Sequence, residues 1–317
     1  MQNKKVVVLG GGTGMSTLLK GLKLFPLDIT AVVAVSDDGR STGRLREEFN
    51  IIAVGDIRQV ITSLSETEPL IEKLMNYRFK TTSDLNGHTV GNLLLTALAN
   101  INGNITSGIT SLSKVFNIKG KVLPLTEENV TLAAIMKDNS KIVGEHNITE
   151  SGKGVKKVFY KEKANTNPLV LNEIKAADLI ILSMGSLYTS VIPNLINADM
   201  KKALKESSAK IMYVCNMVTQ PGETDEFKAS DHIKALNKYL GKREVDIIVV
   251  NDGNISEAIL EKYKTTEQKD KVEFDKDNLK KLDLQIIHNN YVDVSDGLLR
   301  HKVDKLALDI YAYLLNK

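Results

Sequence analysis

The sequence of 317 residues is poor in cysteine and in aromatic residues. It has one cysteine, Cys215, no tryptophan, and 5% aromatic residues overall. A single cysteine excludes an intramolecular disulfide and a metal site built from several cysteines, so we expect a cytoplasmic protein. Because the net charge is only +3 and few rings are available for stacking on bases, we expect no nucleic-acid partner.

Long apolar runs and a leader peptide are also missing. No apolar stretch approaches the length of a membrane span, and the first strand begins almost at the N-terminus, which leaves no room for a signal peptide. The chain is 42% hydrophobic and 26% charged, which is typical of a globular protein with a large core. We expect one domain over residues 1–317.

Short apolar runs alternate with helical patterns along the chain. Such buried runs are typical of parallel strands, so the sequence predicts a Rossmann-like, doubly wound parallel α/β sheet. The predicted strands are Val6–Leu9, Ile29–Val35, Asp178–Leu182, Ile211–Val214 and Asp246–Val250. The predicted helices include Met200–Lys205, His232–Leu240 and the amphipathic Val303–Asn316.

Three segments depart from this alternation. Residues 120–167 predict an antiparallel insertion at the edge of the sheet, with two strands around a Lys-Asp-Asn-Ser turn and a third in VKKVFYKE. Asp56–Phe116 is predicted to be mostly helical. The charge-rich segment Lys262–Lys281 is expected to be solvated and mobile.

A glycine turn follows the first strand. Gly11, Gly12, Thr13 and Gly14 precede an apolar pattern of helical spacing, so the helix should point its free N–H groups into the turn. A third glycine in Rossmann spacing is missing, and so is the lysine of a nucleoside-triphosphate loop. The stretch therefore predicts a phosphate site of neither common type, with a plain structural turn as the alternative.

The loop after the second strand, SDDGRSTGRLR, combines acids and arginines. Asp37 and Asp38 are the kind of paired carboxylates that can hold Mg²⁺. Arg40 and Arg44, with the hydroxyl of Ser41, are suited to gripping a phosphate group. An ordinary surface turn would explain the Asp-Gly step but not this density of charged groups.

Three further loops carry polar groups at predicted strand or helix ends, where ligands bind in this architecture. In NGHTVGN a histidine and an asparagine are spaced to share one helix face, and a structural role for the histidine is the alternative. GSLYTS repeats the glycine and hydroxyl pattern of the first loop. The candidate ligand-binding residues of the three loops are Asn86, His88, Asn92, Gly185, Ser186, Tyr188, Thr189, Asn216, Thr219 and Gln220.

Six ordered motifs, GGGTG, SDDGRSTGRLR, GDIR, NGHTVGNL, GSLYTS with IPNL, and CNMVTQPGETD, resemble the YvcK family of bacterial gluconeogenesis factors. That family is related to the CofD 2-phospho-L-lactate transferases. The resemblance implies a Rossmann-like fold, a cytoplasmic location and binding of a UDP-sugar such as UDP-N-acetylglucosamine. It also implies a role in cell shape and wall synthesis on gluconeogenic carbon sources.

The resemblance also suggests roles for individual residues. Gly12, Thr13 and Gly14 would cradle a phosphate or ribose, and Asp37 and Asp38 would stand where the transferases hold metal or acceptor. Asn216, Thr219 and Gln220 would reach the nucleotide, and Tyr263 and Arg300 would contact the sugar nucleotide. The sequence departs from the family pattern at Met184 and Leu85.

Three functions stay open at this point. The first is a regulatory protein that binds a UDP-sugar, and the second is a CofD-like transferase that uses Mg²⁺. The third, an NAD-dependent oxidoreductase, is disfavoured by the missing third glycine. A homodimer is the default expectation for assembly.

Overall fold

A central sheet of seven parallel strands organises the chain. The computed structural model describes residues 3–66, 69–295 and 297–316. The strands in this part of the chain are β1 (Lys4–Gly10), β2 (Leu27–Val33), β3 (Lys121–Pro124), β4 (Leu132–Met136), β5 (Lys141–Val143), β6 (Val155–Tyr160), β7 (Leu179–Leu182), β8 (Lys210–Val214), β9 (Ile247–Asn251), β10 (Gln285–Asn289), β11 (Val292–Ser295) and β12 (Leu298–His301).

Helices connect the strands and cover the sheet. They are α1 (Gly12–Leu22), α2 (Arg40–Phe49), α3 (Gly55–Leu64), α4 (Pro69–Asn76), α5 (Val90–Asn102), α6 (Ile105–Val115), α7 (Glu145–Glu150), α8 (Pro168–Ala176), α9 (Ala198–Glu206), α10 (Ala229–Leu240), α11 (Glu257–Glu267), α12 (Lys276–Leu279) and α13 (Val303–Leu315). None of these helices has both the length and the apolar character that crossing a bilayer requires.

The strand order in the sheet is β10-β9-β8-β7-β1-β2-β3. Val6 of β1 pairs with Ile29 of β2 on one side and with Leu179 of β7 on the other. Val6, Val7, Val8 and Leu9 are fully buried, as continuous apolar strands of a covered parallel sheet should be. The prediction of a doubly wound sheet is therefore confirmed. The order reverses between β1 and β7, which places the topological switch point there.

The small antiparallel sheet is confirmed, with strand order β5-β4-β6 and the predicted turn between β4 and β5. Its strands dock on elements that follow β7 and β8. The phenol of Tyr160 donates to the carbonyl of Pro193 at 3.1 Å, and the amide of Val158 donates to the phenol of Tyr239 at 2.8 Å. The insertion thus covers the loops at the carboxyl end of the main sheet. The first strand in this region, β3, joins the main sheet itself.

The expectation of a solvated segment over Lys262–Lys281 is wrong. Tyr263, Val272 and Leu279 are buried. The amide of Thr219 donates to the carbonyl of Asp270 at 2.8 Å, and the amide of Asp270 donates to the Thr219 hydroxyl at 2.9 Å. The charged residues mark only the outer side of a segment that packs against the loop after β8.

Candidate functional site

A cleft of about 530 Å³ opens at the switch point. Its walls come from the loops that follow β1, β2, β7 and β8, from the starts of α3 and α7, and from Lys269, Leu299 and His301. Among the predicted site residues, the cleft is lined by Gly11, Gly12, Thr13, Gly14, Asp37, Gly185, Ser186, Asn216, Thr219 and Gln220. The structure therefore brings together groups that lie more than 200 positions apart in the sequence.

The glycine turn is built for close contact. Gly12 has φ +61°, a left-handed conformation that glycine adopts without strain. A Cβ on Gly14 would lie 2.0 Å from the carbonyl oxygen of Met184. The loops after β1 and β7 can meet only because residue 14 has no side chain.

Asp56 is a site residue that the sequence did not reveal. Its carboxylate accepts the backbone N–H of Gly12 at the start of α1. Burial, followed by the charge of Asp37, raises the pKa of Asp56 to about 7. An acid with a pKa near neutrality therefore occupies the helix terminus that was expected to bind phosphate.

Glu145, the first residue of α7, also lines this cleft and was missed. Burial raises its pKa well above the ordinary value, and the charges of Asp37 and Asp56 add to the shift. Nothing in the sequence around Glu145 suggested a role, because α7 is brought to the cleft by contacts with distant residues such as the hydrogen bond from His146 to Asp38. Three of the described residues that line the cleft thus carry carboxyl groups: Asp37, Asp56 and Glu145.

The paired acids of SDDG point in different directions. Asp37 lines the cleft and accepts the amide of Gly39 at 3.0 Å. Asp38 accepts the amide of His146 in the first turn of α7 at 2.9 Å. Within the described residues, no three His, Cys, Asp or Glu side chains are grouped as a metal site. Asp37 and Asp56 line the cleft, whereas Asp38 does not.

The loop after β7 is anchored by hydrogen bonds to Glu223, a third residue that the sequence did not reveal. Glu223 is 1% exposed. It accepts the amide of Tyr188 at 2.9 Å and the hydroxyl of Thr189 at 2.9 Å. Tyr188 and Thr189 are thus turned into the protein, while Ser186 lines the cleft. The segment forms a π-helical turn followed by a 3₁₀ turn at Pro193, not the regular helix that the glycine pattern predicted.

The loop after β8 provides an unsatisfied acceptor. The Asn216 amide donates to the carbonyl of Gly185 at 3.0 Å, which joins this loop to the loop after β7. Its Oδ1 is buried and has no hydrogen-bond partner among the described residues. Buried polar atoms are usually paired, so this oxygen is free for a ligand donor.

A second cleft of about 1070 Å³ continues from the first. The two share Thr13, Gly14, Lys269 and His301 among their walls. Tyr263 and Arg300 line the second cleft, and the phenol of Tyr263 accepts the amide of Leu299 at 2.8 Å.

His301 stands where the two clefts join. Its Nε2 donates to the carbonyl of Cys215 at 3.2 Å, which leaves Nδ1 as an acceptor. Burial lowers the pKa of His301 to about 4, so the ring is neutral at pH 7.

The residues of NGHTVGN, together with Ser41 and Arg44, do not line either cleft. The Ser41 hydroxyl bonds to Nδ1 of the buried His88 at 2.9 Å, and the Asn92 amide donates to the Ser41 hydroxyl at 3.3 Å. Arg44 donates to the carbonyls of Asp84 and Asn86. These side chains bond to one another and to backbone. The side chain of Arg40 lies outside the described part of the structure.

Comparison with known proteins places the chain among relatives. The model of the family described as 2-phospho-L-lactate transferase CofD matches residues 6–292. The chain belongs to the CofD family. This CofD-family protein is 44% identical to a gluconeogenesis factor of Bacillus subtilis, over 96% of each chain. A putative gluconeogenesis factor of Thermotoga maritima is 45% identical, over 96% of this chain and 97% of that protein. The resemblance drawn from the six motifs is confirmed.

A solved structure agrees with the fold. The crystal structure of a Bacillus halodurans protein superposes with a TM-score of 0.94 at 44% identity, covering 98% of this chain and 99% of that one. This relative therefore shares the overall fold of the chain.

Proposed function

We propose that this CofD-family protein binds a nucleotide sugar of the UDP-N-acetylglucosamine type and acts as a cytoplasmic regulator of cell shape and wall synthesis during gluconeogenic growth. The observation on which the proposal rests is the position of the first cleft at the switch point of the sheet, where doubly wound folds bind nucleotides. The name gluconeogenesis factor, carried by relatives of matching length, supports the physiological part.

The charges of the two clefts favour one orientation of the ligand. Asp56 already takes the N–H of Gly12, and two more carboxylates line the first cleft. Carboxylates accept hydrogen bonds from ribose or sugar hydroxyls but repel a bare diphosphate. Tyr263 and Arg300 in the second cleft suit the diphosphate and an adjoining ring. Asp37 and Asp56 provide oxygen donors that fit Mg²⁺, which would shield a diphosphate from them.

A panel of ligands tests the proposal. Because a ligand that binds only the native state raises its stability, UDP-N-acetylglucosamine should raise the melting temperature more than GDP, NAD or FAD, with and without Mg²⁺. A larger shift with NAD than with every UDP-sugar would contradict the proposal. Light scattering on the same samples tests the expected homodimer.

A CofD-like transferase is the second candidate function. The family description and the clustered carboxylates favour it, since an acid with a pKa of about 7 such as Asp56 suits a general base that takes a proton from an attacking hydroxyl. Chromatography of a UDP-sugar incubated with Mg²⁺, phospholactate and alcohol acceptors would test it. Turnover that Asp56→Asn abolishes would favour the transferase, and an unchanged nucleotide would favour the regulatory role.

A further inference from the structure

The second cleft is lined by a buried arginine that forms no salt bridge with any described residue. Arg58, in the first turn of α3, is 6% exposed and lines this cleft. Its Nε donates to Oδ1 of Asn92 at 3.0 Å, and its Nη1 donates to Oδ1 of Asn76. Neither a carboxylate nor any partner for Nη2 is found for Arg58 in the described part of the chain.

The surrounding residues are arranged to hold this side chain in place. A Cβ on Gly91 would lie 2.6 Å from Cδ of Arg58, so the glycine makes room for the arginine stem. Asn92 is itself fixed by Ser41, which bonds to His88. The motif NGHTVGN therefore positions the side chain of Arg58. This explains why the polar residues of the motif do not line either cleft themselves.

Such an arrangement is costly unless a ligand completes it. Buried arginines are almost always paired with an anion, because desolvation of the guanidinium is unfavourable. Burial lowers the pKa of Arg58, the nearby charge of Arg78 lowers it further, and Asp56 opposes this only in part. The guanidinium fork matches the oxygens of a phosphate, to which it donates two parallel hydrogen bonds.

Ser16 provides an independent indication of a ligand. This residue of α1 lines the same cleft and is 9% exposed. Its hydroxyl is buried and has no hydrogen-bond partner among the described residues. Ser16 and Arg58 line the same cleft, and together they offer a phosphate group there a neutral and a charged donor.

We infer that Arg58 and Ser16 form a phosphate-binding subsite in the second cleft. The phosphate group has two possible sources in chemical terms: the diphosphate of the nucleotide sugar, or a separate phosphate monoester that binds beside it. The first source rests on the proposed function, whereas the second does not.

Titration of the protein with inorganic phosphate, followed by calorimetry and by phosphorus NMR, tests the subsite. Wild type should bind phosphate saturably, and Arg58→Gln should weaken binding roughly tenfold or more, since charge-assisted hydrogen bonds are lost. Ser16→Ala should weaken binding by roughly threefold to tenfold without lowering the melting temperature, because its hydroxyl has no partner to lose. Arg78→Gln removes a nearby charge outside the cleft and should change the affinity by no more than about twofold.

A second titration distinguishes between the two sources of the phosphate group. If Arg58 holds the diphosphate, phosphate competes with UDP-N-acetylglucosamine. Arg58→Gln then lowers the affinity for the nucleotide sugar but leaves the affinity for uridine unchanged. If it holds a separate monoester, phosphate binds in the presence of saturating nucleotide sugar. Phosphate binding that depends on Arg58 in a protein that binds no UDP-sugar would refute the proposed function and leave the subsite standing. No saturable binding by wild type, or phosphate affinities of Ser16→Ala and Arg58→Gln that equal the affinity of wild type, would overturn the subsite.

Discussion

Replacing Asp56 by Asn should stabilise the protein above neutral pH. The pKa of Asp56 rises from 3.8 to about 7 on folding, so the native state binds this proton more tightly than the unfolded state. The free energy of unfolding therefore falls as pH rises from about 4 to about 7 and is level above that range. A shift of this size corresponds to roughly 4 kcal/mol, and water in the open cleft reduces it to about 1–3 kcal/mol. Asn keeps an oxygen for the N–H of Gly12 and removes the charge.

Urea denaturation of wild type and Asp56→Asn between pH 5 and pH 8 measures this effect. The advantage of the variant should grow with pH and level off near pH 8. Asp138→Asn is the control, because hydrogen bonds from Ser140 and Lys153 lower the pKa of the exposed Asp138 to about 2, outside the range tested. A stability difference for Asp56→Asn that does not change with pH would refute the assignment of a raised pKa to this carboxyl group.

Four further variants test the site. Gly12→Val should abolish UDP-sugar binding in calorimetry while the far-UV circular dichroism spectrum stays native. A side chain at φ +61° costs about 1–2 kcal/mol of stability. An unfolded variant would show that the glycine is required for the fold. Glu223→Ala should lower the free energy of unfolding by roughly 2–4 kcal/mol, since two donors of the loop after β7 lose a buried acceptor, and an unchanged urea midpoint would contradict this. Asp37→Asn should remove any Mg²⁺ dependence of nucleotide binding and Asp38→Asn should keep it; the reverse result would restore the adjacent acids as the metal pair.

The sheet was largely predictable because most of its strands are uniformly apolar. Val6–Leu9 and Asp178–Leu182 lie within two residues of the observed strands at each end. The strands that escaped prediction are shorter or less buried. In β10, the outermost strand, only Ile286 and Ile287 are apolar, and both are partly exposed, so the periodicity that marks an interior strand is weak there.

The position of the insertion could not be derived from its own sequence. Its strands and turn follow from local alternation, but where it docks is decided by contacts such as those of Tyr160 and Val158 with distant residues. Glu145 therefore entered the site without a sequence signal. The same reasoning applies to His301, which reaches the cleft through the C-terminal hairpin of β11 and β12.

Adjacency in the sequence proved a poor guide to which acids share a site. Successive side chains of an extended segment point to opposite sides, so Asp37 faces the cleft while its neighbour Asp38 binds the start of α7. Asp56 and Glu145 converge with Asp37 although they come from separate helices, because α3 begins beside the glycine turn after β1 and the insertion that carries α7 reaches the same cleft. For a loop of this architecture, a pair of neighbouring carboxylates thus predicts one ligand-facing acid, and its partners in this protein lie in the first turns of two helices, α3 and α7.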